Sequence, residues 1–125
     1  MVDWEILPGK QINFLTNPYF CAMRKLSMEE LGRKSVEEFK ASDKTPIIVV
    51  LENIRSAYNV GSVFRTSDAF LVEAIYIIGY SAKPPHKEIK KTALGAEETV
   101  DWKYFKTTAE AIEELRTKGF NVYAA

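Results

Sequence analysis

Cysteine and histidine are almost absent from this chain, with one of each in 125 residues. A single thiol closes no disulfide within the chain, so a packed core must hold the fold, and a reducing, cytoplasmic setting is expected. Cys21 lies in NPYFCAM with no histidine beside it, which reads as a small apolar residue rather than a nucleophile. No cluster of cysteines and histidines has metal-ligand spacing, so no metal is expected. Net charge is absent too, 17 basic residues balancing 17 acidic ones, which neither demands nor forbids a nucleic-acid partner. Long apolar runs are missing. PIIVVL is too short to cross a bilayer, and MVDWEILPGK lacks the apolar stretch of a secretory signal. No membrane association is expected.

What is present suits one domain, with 46% apolar residues to build a core. Residues 1–22 have no clear period and read as an irregular extension, and the organised domain is expected over 23–125, with Met23 as an alternative start. LSMEELGRKSVEEFKAS reads as helical, with Ser27 and Glu30 at capping-box spacing; Gly32 weakens its centre and Ser35 offers a second start. After Thr45-Pro46, IIVVL is a continuous β-branched run, the pattern of a strand buried on both faces of a parallel sheet. Helical spacing follows from Val60 to Phe70, and then a second strand, EAIYIIG. Strand, helix and strand make a βαβ unit with parallel strands. YSAKPPHKEIKKTALGAEE reads as a loop whose lysines suit phosphates or plain solvation. Thr107 and Glu110 then start a helix that Gly119 ends, and FNVYA reads as a third strand.

The stretch LENIRSAYNVGSVFRTSDAF follows the first strand. Parallel sheets bind ligands beyond the carboxyl ends of their strands, so this loop sits where a site belongs. Asn59 is placed to cap the helix, Gly61 to admit a close backbone, and Arg65 to meet a phosphate. The competing reading of Arg65 is an i, i+3 pair with Asp68. Neither a dinucleotide fingerprint nor a P-loop is present.

NIRSAYNVGSVFRTSDAF resembles the first signature motif of the SpoU family of RNA methyltransferases, within the SPOUT superfamily. Asn59, Gly61 and Arg65 supply the motif's core, followed by Thr66, Asp68, Ala69 and Phe70. Leu71 stands where members often carry glycine, a departure that affects a turn more than chemistry. KTALGAEETV resembles a later segment of the family through Gly95 and Ala96. The resemblance implies an α/β fold with a parallel sheet and flanking helices. It implies methyl transfer from S-adenosylmethionine to a ribose 2′-hydroxyl of tRNA or rRNA, and a homodimer. Arg65 and Asn59 are the catalytic expectations; Asn59, Ser62, Arg65, Lys83 and Lys87 are the RNA-binding ones. The family's Gly-rich loop and its Ser-Leu-Asn segment are not found in this sequence, so the chain is expected to be a portion that stops before the trefoil knot and lacks most of the cofactor pocket. Two other readings stand beside this one: a non-enzymatic RNA-binding or dimerisation module, and a generic α/β domain in which Asn59 and Arg65 only cap and brace a helix.

Overall fold

A computed structural model describes residues 34–125 together with Gly32. The expected boundary at Met23, the Ser27–Glu30 capping box and Cys21 lie outside the described residues. The order of elements is α1 (Val36–Ala41), β1 (Thr45–Glu52), α2 (Ala57–Ala69), β2 (Val72–Ile78), α3 (Lys87–Ala93), α4 (Ala96–Thr99), β3 (Trp102–Phe105) and α5 (Thr108–Thr117). Ser35 does start a helix, and it closes a full capping box with Glu38.

The three strands form one sheet in the order β1-β2-β3, and both pairings are parallel. The βαβ expectation therefore holds. Apolar side chains alternate between the two faces of β2. Ile75 and Ile77 join Phe39, Val60, Phe64, Ile89 and Val100 beneath α1–α4. Tyr76 and Ile78 join Phe105, Ala111 and Leu115 beneath α5. Helices thus cover both faces. Burying each large apolar side chain of the first cluster contributes about 1.5–3 kcal/mol, which makes that face the main source of cohesion.

Four expectations are corrected. β1 is not buried throughout: it is an edge strand among the described residues, only Leu51 is buried, and Ile47 is 51% exposed. A β-branched run signals extended backbone, but burial on both faces needs a neighbour on each side. FNVYA forms no strand; the third strand is Trp102–Phe105. Residues 121–125 have β propensity, yet they are exposed and no described strand pairs with them, and a strand requires a ladder partner. YSAKPPHKEIKKTALGAEE is not all loop, because it holds α3 and α4. Ile89, Ala93, Ala96 and Val100 are all buried at a 4-3-4 spacing, the helical signal that the surrounding lysines hide. Finally, α2 begins three residues before Val60, capped by Ser56 and not by Asn59.

Leu71 has φ 53°, a left-handed conformation that suits glycine. The departure from the family pattern does fall on a turn. It leads straight from α2 into β2.

Candidate RNA-facing site

β1 ends at Glu52, and the chain turns at Asn53, whose φ is 51°. The turn is fastened from two sides. Tyr80 N donates to Asn53 Oδ1 at 3.3 Å, and Asn53 N donates to the Ile78 carbonyl at 3.2 Å. Gly79, at φ 68°, lies so close to Asn53 Oδ1 that a Cβ there would collide with it. Ser81 is buried; its Oγ accepts from Ile54 N at 2.7 Å and lies within donating distance of the Leu51 and Ile78 carbonyls, at 3.3 and 3.0 Å. One hydroxyl thus ties the loop after β1 to the loop after β2, and a buried group so satisfied stabilises rather than costs. Neither Asn53 nor Ser81 carries a local sequence signal for this role.

α2 starts beyond the carboxyl end of β1 and must run back along the sheet, since β2 begins where β1 began. Ser56 Oγ accepts from Asn59 N at 3.3 Å. Asn59 is therefore the third helical residue, and its side chain is free of capping duty. Asn59, Ser62 and Arg65 are all exposed, three residues apart on one flank of α2. From Asn59 to Arg65 the helix advances about 9 Å and turns about 240°, so the three form a slanting stripe rather than a single convergent point. The expected Arg65–Asp68 pair is not formed. Asp68 Oδ1 instead accepts from Thr99 Oγ1 at 2.7 Å, fastening α2 to α4. Among the described residues Arg65 has no salt-bridge partner.

Gly61 faces inward on the same helix and is buried. Its lack of a side chain admits α3: the Ile89 carbonyl oxygen would lie 2.6 Å from a Cβ at Gly61. Thr92 Oγ1 donates across this contact to the Tyr58 carbonyl at 3.0 Å. The close backbone approach expected at Gly61 is real, but the partner is a helix.

Lys83 and Lys87 lie elsewhere. Lys83 Nζ sits 3.7 Å above the Tyr104 ring, and Tyr104 OH donates to the Gly79 carbonyl at 3.1 Å. Lys87 opens α3, where the imidazole Nδ1 of His86 accepts from Glu88 N at 3.2 Å. No side-chain hydrogen bond or salt bridge among the described residues joins any two of Asn59, Ser62, Arg65, Lys83 and Lys87. Asn59, Ser62 and Arg65 thus share the exposed surface of α2, whereas Lys87 opens α3 and Lys83 lies in the loop before it.

The described residues line two concavities of note. One, of about 590 Å³, lies between β1 and the second half of α2, lined by Ile47, Val49, Val63, Phe70 and Val72 with the hydroxyls of Thr45, Ser62, Thr66 and Ser67. The other, of about 460 Å³, lies between the start of α3, α4 and Trp102. The first is lined by no charged or amide side chain, and the second, which does hold lysines and glutamates, lies beside Trp102 at the start of β3 and not at the carboxyl ends of the strands, where a parallel sheet binds its ligands. The described residues do not by themselves fit S-adenosylmethionine. Among the described residues there is also no group of three or more potential metal ligands, and no helix long and apolar enough to cross a membrane.

Comparisons with known proteins agree with this architecture. Residues 46–125 match the model of the SpoU rRNA Methylase family. The chain is 26% identical over 91 residues to the 23S rRNA (guanosine-2′-O-)-methyltransferase RlmB of Vibrio parahaemolyticus, covering 73% of this chain and 37% of that one. It is 27% identical over 95 residues to the tRNA (guanosine(18)-2′-O)-methyltransferase of Thermus thermophilus, covering 76% and 48%. Among solved structures, the SpoU methyltransferase AviRb of Streptomyces viridochromogenes, in complex with the cofactor AdoMet, superposes with a TM-score of 0.56 at 15% identity, covering 64% of this chain and 30% of that one. The TrmH/SpoU tRNA modifying enzyme of A. aeolicus gives 0.55 at 17% identity, covering 69% and 45%. The chain spans about a third to a half of the length of these curated relatives. With the family's model matching most of the chain, and its first motif lying on the exposed flank of a helix that leaves the end of a parallel strand, the chain belongs to the SpoU rRNA methylase family.

Proposed function

We propose that the protein transfers a methyl group from S-adenosylmethionine to a ribose 2′-hydroxyl of tRNA or rRNA. The observation that carries this reading is the family match over residues 46–125, which includes the exposed stripe of Asn59, Ser62 and Arg65. In this reading the cofactor supplies the methyl group. Arg65 offers a planar, permanently charged fork to a backbone phosphate, and that anchor orients the ribose. Asn59 and Ser62 supply neutral hydrogen-bonding groups to the sugar and its phosphate. Holding a hydroxyl in line with a methyl donor removes much of the entropic part of the barrier. Lys83 and Lys87 extend the positive surface.

The proposal includes a homodimer in the cytoplasm. β1 is an edge strand among the described residues, with Ile47 and Phe70 exposed beside it, which supports pairing with a second chain. The single cysteine supports a reducing compartment. The organised domain is taken to begin near Met23. A second reading, a non-enzymatic RNA-binding or dimerisation module, is favoured by one observation: neither concavity among the described residues fits S-adenosylmethionine.

Methylation of tRNA and rRNA transcripts, followed by mapping of 2′-O-methyl groups, separates the two. The test uses this chain and any longer product of the same gene. Methylation that disappears in Arg65→Ala supports the enzyme. RNA binding without methylation in either product supports the module.

A further inference from the structure

We propose that the cleft lined by Trp102 takes one unpaired nucleobase of the RNA. This deepens the RNA reading above and rests on it. The cleft, at about 460 Å³, falls within the range of small-ligand sites, about 300–1,000 Å³. Trp102 is half-buried and packs against the core beneath α3 and α4. Its indole is therefore held by tertiary packing, which lowers the entropic cost of stacking against it. Pro84 and Pro85 give the cleft a second rigid, apolar wall.

The charges are arranged for a nucleotide rather than for a simple anion. Lys87 and Lys90 reach the cleft from α3, and Glu97 and Glu98 from α4. Carboxylates repel phosphate but accept from the N–H groups on a base edge. Glu97 already accepts from Gly95 N at 3.0 Å, while Glu98 has no side-chain partner among the described residues. A base lying on Trp102 thus meets Glu98 with its edge, and its phosphates meet the two lysines. Only an unpaired base has a free face and a free edge, so duplex RNA is excluded. Tyr104 is the next aromatic on that face of β3, but Lys83 already occupies its ring at 3.7 Å. The site accordingly holds one base and not a run of them.

The test uses the whole chain carrying Trp4→Phe, so that Trp102 is the only indole emitter. It is titrated with an unstructured single-stranded oligoribonucleotide, with the same sequence in a duplex, and with an abasic ribose-phosphate oligomer of equal length. Labelled-RNA anisotropy is followed in parallel. The expected result is strong quenching of Trp102 by the single strand alone, with the abasic oligomer bound at least tenfold more weakly. Changing both Lys87 and Lys90 to Ala lowers the slope of log affinity against log salt by about 1.4, two phosphate contacts at about 0.7 each. RNA binding with unchanged Trp102 emission, or equal affinity for the abasic oligomer, overturns the base site and leaves the RNA reading standing. Absence of binding to any RNA overturns both. The anisotropy comparison of single-stranded and abasic oligomers is also run on the unaltered chain, so the folding of a variant cannot decide the result.

Discussion

Thr92 Oγ1 and the Ile89 carbonyl occupy the space that a side chain on Gly61 would need. The motif glycine is therefore the contact point between α2 and α3, and the two helices are held together where the candidate RNA-facing stripe begins.

Gly61→Ala should destabilise the fold by about 1–3 kcal/mol through overpacking. A urea or thermal midpoint measures the loss. Adding Thr92→Ala should restore only part of it, because the Ile89 carbonyl is backbone and cannot be trimmed. Full recovery in the double variant would show that the hydroxyl alone set the spacing.

Ser81→Ala should cost about 1–3 kcal/mol, the penalty for leaving the Ile54 N–H without its partner. Denaturant unfolding reads this directly. Amide exchange at Ile54 should accelerate more than exchange in α5. Uniform acceleration across the chain would mean that Ser81 acts through global stability and not through the two loops that it joins.

Acid stability should depend on Glu114. Hydrogen bonds from Lys103 first, then Tyr76, then Lys118, hold its carboxyl down to about 2 from 4.5. A depressed carboxylate stabilises the folded state above its unfolded value, and the contribution is lost as pH falls through its folded one. The midpoint difference between the parent chain and Glu114→Gln should therefore be constant above pH 4.5 and shrink from there toward pH 2. Lys118 has the opposite sign. Its ammonium is raised by the hydrogen bond to Tyr76 and then by Glu114, so its contribution is present below 10.5 and fades in stronger alkali.

Calorimetric titration of this chain with S-adenosylmethionine should give little or no heat at micromolar concentrations. The larger concavity is almost wholly apolar, and a cofactor with a charged amino-acid end gains little there. A micromolar dissociation constant would place a cofactor site within this chain and correct that assignment.

Much of the fold was legible because local chemistry and tertiary packing agree in it. The β-branched run of β1, the apolar β2 and the caps at Ser35 and Thr107 each state their element locally, and Gly119, at φ 81°, ends α5 as expected. β3 was missed because it is four residues long and carries Lys103 between its aromatics, so its apolar period is too short to read. FNVYA misled for the opposite reason, since it has the propensity and no described partner. Along the site, Asn59 was expected to cap the helix, a role that Ser56 holds, and Asn59, Ser62 and Arg65 are exposed on α2 as a stripe. Sequence did not reveal that Asp68 binds Thr99, that Ser81 joins two loops, or that Trp102 lines a cleft. Each of those pairings joins distant parts of the chain, which no local pattern encodes.

Strand order and chain order coincide, β1-β2-β3. Each strand pairs with the one made just before it, and the helix between β1 and β2 packs where both are already present. Among the described residues the sheet can consequently be assembled one strand at a time as the chain leaves the ribosome, each new strand adding to the edge left by the last. Parallel pairing across a helical crossover is slower than hairpin formation, but nearest-neighbour order keeps the sequence separation as short as such a crossover allows. That order also shortens the interval during which the β-branched run of β1 is bare, at synthesis rates of about 5–20 residues per second.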